Sequence, residues 1–73
     1  MSKRIFYFSA KIQQEHTDTI RKMAIDAGVP DSNIVLKKEG CGIFYMGIYI
    51  KFENKKSYKT FKSLQLPGIV ELW

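Results

Sequence analysis

Residues 43–52 have the sequence IFYMGIYIKF, in which apolar side chains recur at every second position. The even positions carry Phe44, Met46, Ile48, Ile50 and Phe52. The odd positions after Ile43 carry Tyr45, Gly47, Tyr49 and Lys51. Because successive side chains of a strand point to opposite faces, this pattern predicts a strand that turns its even residues toward a core. We expect its odd residues to lie on an exposed face of a sheet.

The chain before this strand predicts a strand, a helix and a second strand. Residues 4–11 are rich in aromatic side chains and bounded by charge, which is typical of a strand. The spacing of an amphipathic helix follows at Ile20, Met23, Ala24 and Ala27. Gly28 can end this helix in a left-handed conformation, and Pro30 prevents it from resuming. Residues 34–38 predict a short strand, and residues 39–42 predict the loop of a hairpin.

The chain after residue 52 predicts one more helix and one more strand. Asn54 is a good helix N-cap, because its side-chain oxygen can accept from an otherwise unpaired backbone N–H. An apolar stripe follows at Tyr58, Phe61 and Leu64. Pro67 and Gly68 end the helix, and residues 69–73 predict a final short strand.

The predicted order is therefore strand, helix, strand, strand, helix, strand. Two right-handed crossovers joined by a hairpin give a four-stranded antiparallel sheet with both helices on one face. This α+β arrangement resembles the ferredoxin-like βαββαβ fold over the whole chain. The first and third strands are expected at the centre, and the face of the sheet away from the helices is expected to be open.

The bulk composition predicts one small, basic domain. The chain has 73 residues, of which 45% are hydrophobic, and a formal net charge of +5 at pH 7. Such a charge favours encounters with nucleic acid, anionic surfaces or acidic proteins. A single cysteine, no signal-peptide pattern and no apolar stretch long enough for a membrane predict an intracellular, cytoplasmic protein without membrane attachment.

Residues for catalysis or metal binding are sparse, so we expect no enzyme activity, no metal site and no cofactor. His16 and Cys41 are the only residues of their kinds, which argues against a structural zinc site and a His-paired nucleophile. Cys41 is expected in the hairpin loop with an exposed thiol. The carboxylates are scattered, without an evident acid–base pair. The chain is predicted to act by binding.

The strongest candidate for a binding surface is the exposed sheet face with Tyr45, Tyr49 and Lys51. Aromatic rings interleaved with cations can stack bases while holding phosphates, whereas tyrosines on a sheet often serve only cross-strand packing. Here the chain resembles a degenerate RNA-recognition motif. Residues 5–10, IFYFSA, are similar to the family's first-strand segment, and residues 49–52, YIKF, to its third-strand segment. The resemblance implies binding of single-stranded RNA or DNA, with Phe6 and Tyr49 as stacking residues.

The sequence departs from that family at the third strand, and it does not decide which residues of the first strand face the core. Gly47 stands where the family has a second aromatic residue, and Tyr45 where it has a basic one. Either Phe6 and Phe8 or Ile5 and Tyr7 can accompany the tyrosines, because both alternations of the first strand are apolar.

A second candidate patch is a stripe of lysines on the second predicted helix. It contains Lys55, Lys59 and Lys62 at i, i+4 and i+7. Such a stripe is either a solvated helix face or a set of phosphate contacts that position a nucleic acid without reading its sequence. About five phosphate contacts in all would give a log–log salt slope near −3.5 for a single strand.

A protein partner is the rival hypothesis. A small solitary domain suits a subunit of a larger complex, or a virus-encoded inhibitor that docks on a host enzyme or nucleoprotein complex. Tyr45, Tyr49 and Trp73 would then be anchors, since tyrosine and tryptophan are enriched among interface hot spots. An unpaired edge strand could also pair with another chain, including a second copy in a homodimer.

Overall fold

The computed structural model describes residues 4–38 and 42–73, which form a four-stranded antiparallel sheet and two α-helices. The elements in chain order are β1 (Phe6–Gln13), α1 (Thr17–Asp26), β2 (Ile34–Lys37), β3 (Tyr45–Phe52), α2 (Lys55–Ser63) and β4 (Ile69–Leu72). Short 3₁₀ turns at Gln14–His16 and Asp31–Asn33 precede α1 and β2. The predicted α+β class is confirmed. Of the predicted hairpin loop, residues 39–41, including Cys41, lie outside the described residues.

The strand order in the sheet is β2-β3-β1-β4. The central pair is long, because β1 and β3 pair antiparallel along their whole length, from Phe6 opposite Phe52 to Gln13 opposite Tyr45. The edge strands are short: β2 pairs with residues 47–50 of β3, and β4 pairs with residues 10–12 of β1. The prediction that the first and third strands lie at the centre is confirmed.

The hydrophobic core covers one face of the sheet. On β3, the buried side chains of the core are Met46, Ile48, Ile50 and Phe52. On β1, opposite them, they are Phe8, Ala10 and Ile12. Ile20 and Ala24 of α1 and Phe61 of α2 complete the same cluster. Both helices therefore pack on this face, and the other face is left without a covering layer in the described part of the chain.

The parity of β1, which the sequence leaves open, follows from this packing. Phe6 lies on the helix side, where its ring stacks on Tyr58 with a centroid distance of 5.0 Å. Phe8 meets Phe61 edge to face at 5.1 Å. Tyr7 is on the opposite face. The interpretation that places Phe6 beside Tyr49 as an open-face residue is wrong, because Phe6 and Tyr49 lie on opposite faces of the sheet.

Two residues expected in the core lie outside it. Phe44 precedes β3 in a turn, beyond the last pair of the β1–β3 register, and is 71% exposed. Its carbonyl oxygen accepts from the Gln14 backbone N–H at 2.8 Å, but no helix covers its ring. Leu64 follows the end of α2 and is exposed as well. The periodic patterns extend past the ends of the elements that they predict.

The predicted helix ends are confirmed at two points. Gly28 follows α1 with φ +102°, a left-handed conformation that glycine adopts without strain. Asn54 caps α2: its Oδ1 accepts from the backbone N–H groups of Lys56 at 2.8 Å and Ser57 at 3.3 Å. Within the residues the structure describes, neither helix has the length and apolar character needed to cross a membrane.

Candidate functional site

The sheet face away from the helices, here called the open face, carries aromatic and cationic side chains side by side. The register places Tyr7, Ser9, Lys11 and Gln13 of β1 on it, opposite Lys51, Tyr49, Gly47 and Tyr45 of β3. Val35 and Lys37 of β2 join Tyr49 and Gly47 on one side. Glu71 of β4 joins Lys11 on the other side. The predicted grouping of Tyr45, Tyr49 and Lys51 on one face is therefore present.

Two lysines from neighbouring strands lie over the tyrosine rings of β3. The Nζ of Lys11 is 5.0 Å from the ring centroid of Tyr45. The Nζ of Lys37 is 5.4 Å from the ring centroid of Tyr49. Distances of this order bring a cation within reach of the negative face of a ring. Each tyrosine thus holds a positive charge close to the surface of the sheet.

Trp73 lies across the open face and fills the space above Gly47. Its backbone N–H donates to the carbonyl oxygen of Ser9 at 2.9 Å, which fixes the chain beside β1. Its ring reaches β3, where it meets Tyr49 with a centroid distance of 5.8 Å. A Cβ on Gly47 would come within 3.0 Å of Trp73 Cζ3. The position that lacks an aromatic residue on β3 is covered by the ring of Trp73, the residue that follows β4.

The rings of the open face differ in accessibility. Tyr7 is 65% exposed and Trp73 is 52% exposed. Tyr45 and Tyr49 are half-buried beneath their neighbours. Tyr7 and Trp73 therefore offer more ring surface to a ligand, while Tyr45 and Tyr49 form the floor of the face. Tyr7, and not Phe6, is the residue of the first strand available for stacking.

The helix lysines do not share this surface. Lys55 and Lys59 are exposed on α2, whose Phe61 packs into the core on the other side of the sheet. Lys62 is closer to the edge, where it lines a small groove with Tyr7 and Trp73. Its Nζ lies 5.1 Å from the ring centroid of Tyr58. This groove passes the start of β1, which β4 does not pair with, so a ligand on the open face can reach Lys62 through it. Lys55 and Lys59 lie on the far side.

Two cations and one contact of the open face are not among the residues that the sequence patterns predict. Lys11 lies on the same side of β1 as Tyr7, and Lys37 lies on the same side of β2 as Val35. Once it is known which side of each strand faces the core, the positions of both lysines follow. The Trp73 contact with Gly47 has no local signal, since 26 residues separate two positions that only the sheet order brings together.

Other chemistry is not evident in the described residues. No cluster of three or more His, Cys, Asp or Glu side chains that could hold a metal ion is found within residues 4–38 and 42–73. His16 is half-buried beside Gly68, with Nε2 at 3.6 Å from Glu15 Oε1. A separate apolar patch consists of Ile43 and Phe44, which are 78% and 71% exposed.

Comparisons with protein-family models, curated proteins and solved structures found no match to this chain. The arrangement of side chains on the open face is therefore the basis for a functional assignment.

Proposed function

We propose that this chain is a non-enzymatic module that binds single-stranded nucleic acid on the open face of its sheet. The observation that carries the proposal is the interleaving of the rings of Tyr7, Tyr49 and Trp73 with lysines on that single face. Aromatic faces stack bases at about 1–3 kcal/mol per base, and cations beside them bind the phosphates. Lys11, Lys37 and Lys51 supply the cations.

The binding mode follows from the exposure of these groups. Bases stack on Trp73 and Tyr7, whose rings are the more accessible ones. Lys11 and Lys37 hold their charge near the sheet through Tyr45 and Tyr49, where they meet a backbone lying along the face. Glu71 pairs with Lys11 in the strand register and lowers the positive potential at the β4 edge. The strand of nucleic acid is therefore expected to follow β3 more closely than β4.

The strand order of the sheet supports a specific fold. The order β2-β3-β1-β4 is what two right-handed crossovers and a hairpin produce from strand, helix, strand, strand, helix, strand. We therefore propose that the domain has the ferredoxin-like architecture, with the strand order as support. The relation to RNA-recognition motifs is supported by the aromatic open face, with Tyr7 in place of Phe6 and Trp73 covering the Gly47 position.

The proposal is tested by the salt dependence of binding to a single-stranded octathymidylate and its RNA counterpart. With Lys11, Lys37 and Lys51 as phosphate contacts, the log–log slope is expected near −2, since each contact contributes about −0.7 on a single strand. This slope is shallower than the −3.5 expected for about five contacts, because Lys55 and Lys59 lie on the other side of the sheet. The fluorescence of Trp73, the only tryptophan, reports occupancy of the face directly.

A matched pair of charge variants distinguishes the open face from general attraction to a basic protein. The triple change Lys11→Ala, Lys37→Ala and Lys51→Ala is expected to weaken binding and flatten the salt slope. The control triple Lys55→Ala, Lys56→Ala and Lys59→Ala removes the same charge from α2 and is expected to leave the slope unchanged. Equal loss in both triples, or no binding by the unchanged protein, contradicts the proposal.

A protein partner is a second candidate, and it is favoured by an exposed apolar patch at the end of the open face. Ile43 and Phe44 line a groove of about 430 Å³ with Gln13, Gln14, Glu15 and Tyr45, so the groove adjoins the end of the open face. Large exposed apolar side chains beside a groove are typical of protein-interaction sites. The outer edge of β2 is a further place where a second chain, including a homodimer partner, can add a strand.

The second candidate is separated from the first by substitution of that patch. The double change Ile43→Ser and Phe44→Ser should abolish capture of a protein partner and leave octathymidylate binding unchanged. A loss of oligonucleotide binding in this folded variant would mean that the two surfaces act together, against two separate functions.

A further inference from the structure

A recess on the open face lies between Tyr7 of β1 and the start of β2. It is lined by Tyr7, Ser32, Asn33, Val35, Tyr49, Ile50 and Lys51, with a volume of about 260 Å³. Ligand pockets of drug-sized molecules measure about 300–1,000 Å³. The recess is slightly smaller than these, a size suited to one planar ring. It is mostly apolar, since Tyr7 and Val35 expose large parts of their side chains there.

The polar groups of the recess lie along one rim. Ser32 and Asn33 belong to the 3₁₀ turn before β2, and Lys51 lies opposite Tyr7 in the sheet. The Asn33 side chain is held in place, because its Nδ2 donates to the Lys51 carbonyl oxygen at 3.1 Å and to Glu53 Oε2 at 3.3 Å. Both bonds use the amide nitrogen. The Oδ1 of Asn33 therefore retains its acceptor capacity, and the Ser32 hydroxyl can donate or accept.

We propose that this recess is a subsite for a single unstacked nucleobase, held between Tyr7, Tyr49 and Val35 and read along its edge by Ser32 and Asn33. The inference rests on the proposed nucleic-acid function. An apolar pocket with few fixed polar groups is the usual form of a site that binds a small planar ligand. Lys51 at its rim supplies the positive charge that a nucleotide phosphate requires. Because Ser32 and Asn33 present hydrogen-bonding groups to the recess, preference among bases is expected to arise at this subsite.

The first experiment fills the recess. Val35→Phe places a larger side chain in it, and Val70→Phe is the matched control, because Val70 lies on the opposite edge strand and is 48% exposed against 45% for Val35. Octathymidylate binding, followed by Trp73 fluorescence, is expected to weaken roughly tenfold in Val35→Phe, the scale of one lost base contact. Val70→Phe is expected to bind as the unchanged protein does.

The second experiment needs no variant. Amide spectra of the ¹⁵N-labelled protein are recorded during titration with thymidine 5′-monophosphate and, separately, with deoxyribose 5-phosphate, which lacks the base. The Asn33 side-chain amide and the Ser32 and Val35 backbone amides are expected to shift with the nucleotide and not with the sugar phosphate. Equal shifts with both ligands, or shifts confined to other residues, overturn the subsite.

The results separate the subsite from the function on which it rests. If the unchanged protein binds octathymidylate and Val35→Phe binds equally well, the subsite is wrong while the open-face function stands. If the unchanged protein binds no oligonucleotide and shows no shifts with the nucleotide, both the function and the subsite are wrong.

Discussion

Gly47 shows how a missing side chain decides the position of an aromatic ring. Trp73 follows β4, where its backbone N–H donates to the Ser9 carbonyl oxygen, and its ring lies over Gly47, which is buried. The closest approach, 3.0 Å from an added Cβ to Trp73 Cζ3, means that a larger residue would push the ring away. The ring lies close against the sheet because residue 47 has no side chain.

A valine at position 47 is expected to displace this ring. Valine favours strands, so the sheet should remain folded in the Gly47→Val variant. The valine side chain would occupy the space that the Trp73 ring fills. The emission maximum of Trp73 should move to longer wavelength as the indole enters water, and octathymidylate should bind more weakly. An unchanged emission maximum in the folded variant would contradict the packing described here.

Gly68 is a second position at which only glycine fits. Its φ is +73°, and an added Cβ would lie 2.5 Å from His16 Cδ2. Gly68→Ala is expected to lower the free energy of unfolding by about 1–3 kcal/mol through backbone strain alone. Urea denaturation of Gly68→Ala and of the double variant with His16→Ala separates the two causes. The double variant should regain the part of the loss that is due to the clash with the imidazole ring.

At the scale of elements, α2 depends on its N-cap. Its first turn contains Lys55 and Lys56 and no acidic residue, so no charged side chain within it offsets the positive end of the helix dipole. The cap bonds from Asn54 are the local compensation. The stability of the domain therefore depends on the Asn54 side chain, because α2 contributes Phe61 to the core.

Removal of that cap is expected to destabilise the domain measurably. Asn54→Ala should lower the free energy of unfolding by about 1 kcal/mol. Asn54→Asp is the matched control, since aspartate caps equally well and adds a favourable charge at the helix N-terminus. Both are measured by urea denaturation. If the alanine variant were as stable as the aspartate variant, the cap would contribute nothing.

The β1 strand illustrates what an element's sequence leaves open. In residues 5–8, IFYF, both alternations are apolar or aromatic, so periodicity assigns neither set to the core. The pairing with β3 and the packing of α2 on Phe6 and Phe8 decide that these two residues face the core. Tyr7 is thereby placed on the open face, where it borders both the recess and the small groove with Lys62.

At the scale of the whole molecule, the core is small and its aromatic centre is shared. Phe61 contacts Phe8 at 5.1 Å and Phe52 at 5.4 Å, and it is fully buried. At about 0.05–0.15 kcal/mol per residue, a domain of 73 residues has a free energy of unfolding of about 4–11 kcal/mol. One aromatic side chain is a large part of that total.

Truncation of Phe61 is therefore expected to bring the domain close to unfolding. Phe61→Ala should cost about 3–5 kcal/mol, through lost burial and the cavity left behind. Phe61→Leu removes less volume and should lower the free energy of unfolding by less. It therefore still gives a measurement if the alanine variant does not fold. Denaturation curves of both variants are compared with one for Tyr7→Ala, an exposed aromatic residue whose removal should leave stability nearly unchanged.

The sequence by itself determined the class of the fold, the element order and the orientation of β3. These depend on local signals: the period-two pattern of residues 45–52, the helical spacing of Ile20 and Ala24, and the turn and cap residues Gly28 and Asn54. Each signal acts within a few residues, so it can be read without knowing the rest of the chain. For this reason the sequence alone places Tyr45, Tyr49 and Lys51 on one face.

Only the tertiary structure decided which other side chains join them. Tyr7 reaches the open face through the pairing of β1 with β3, Lys37 through β2, and Trp73 through the short β4 strand. The same structure places Lys55 and Lys59 behind the sheet. Such contacts join residues distant in sequence, and their free energies arise from packing between elements, so no local pattern encodes them.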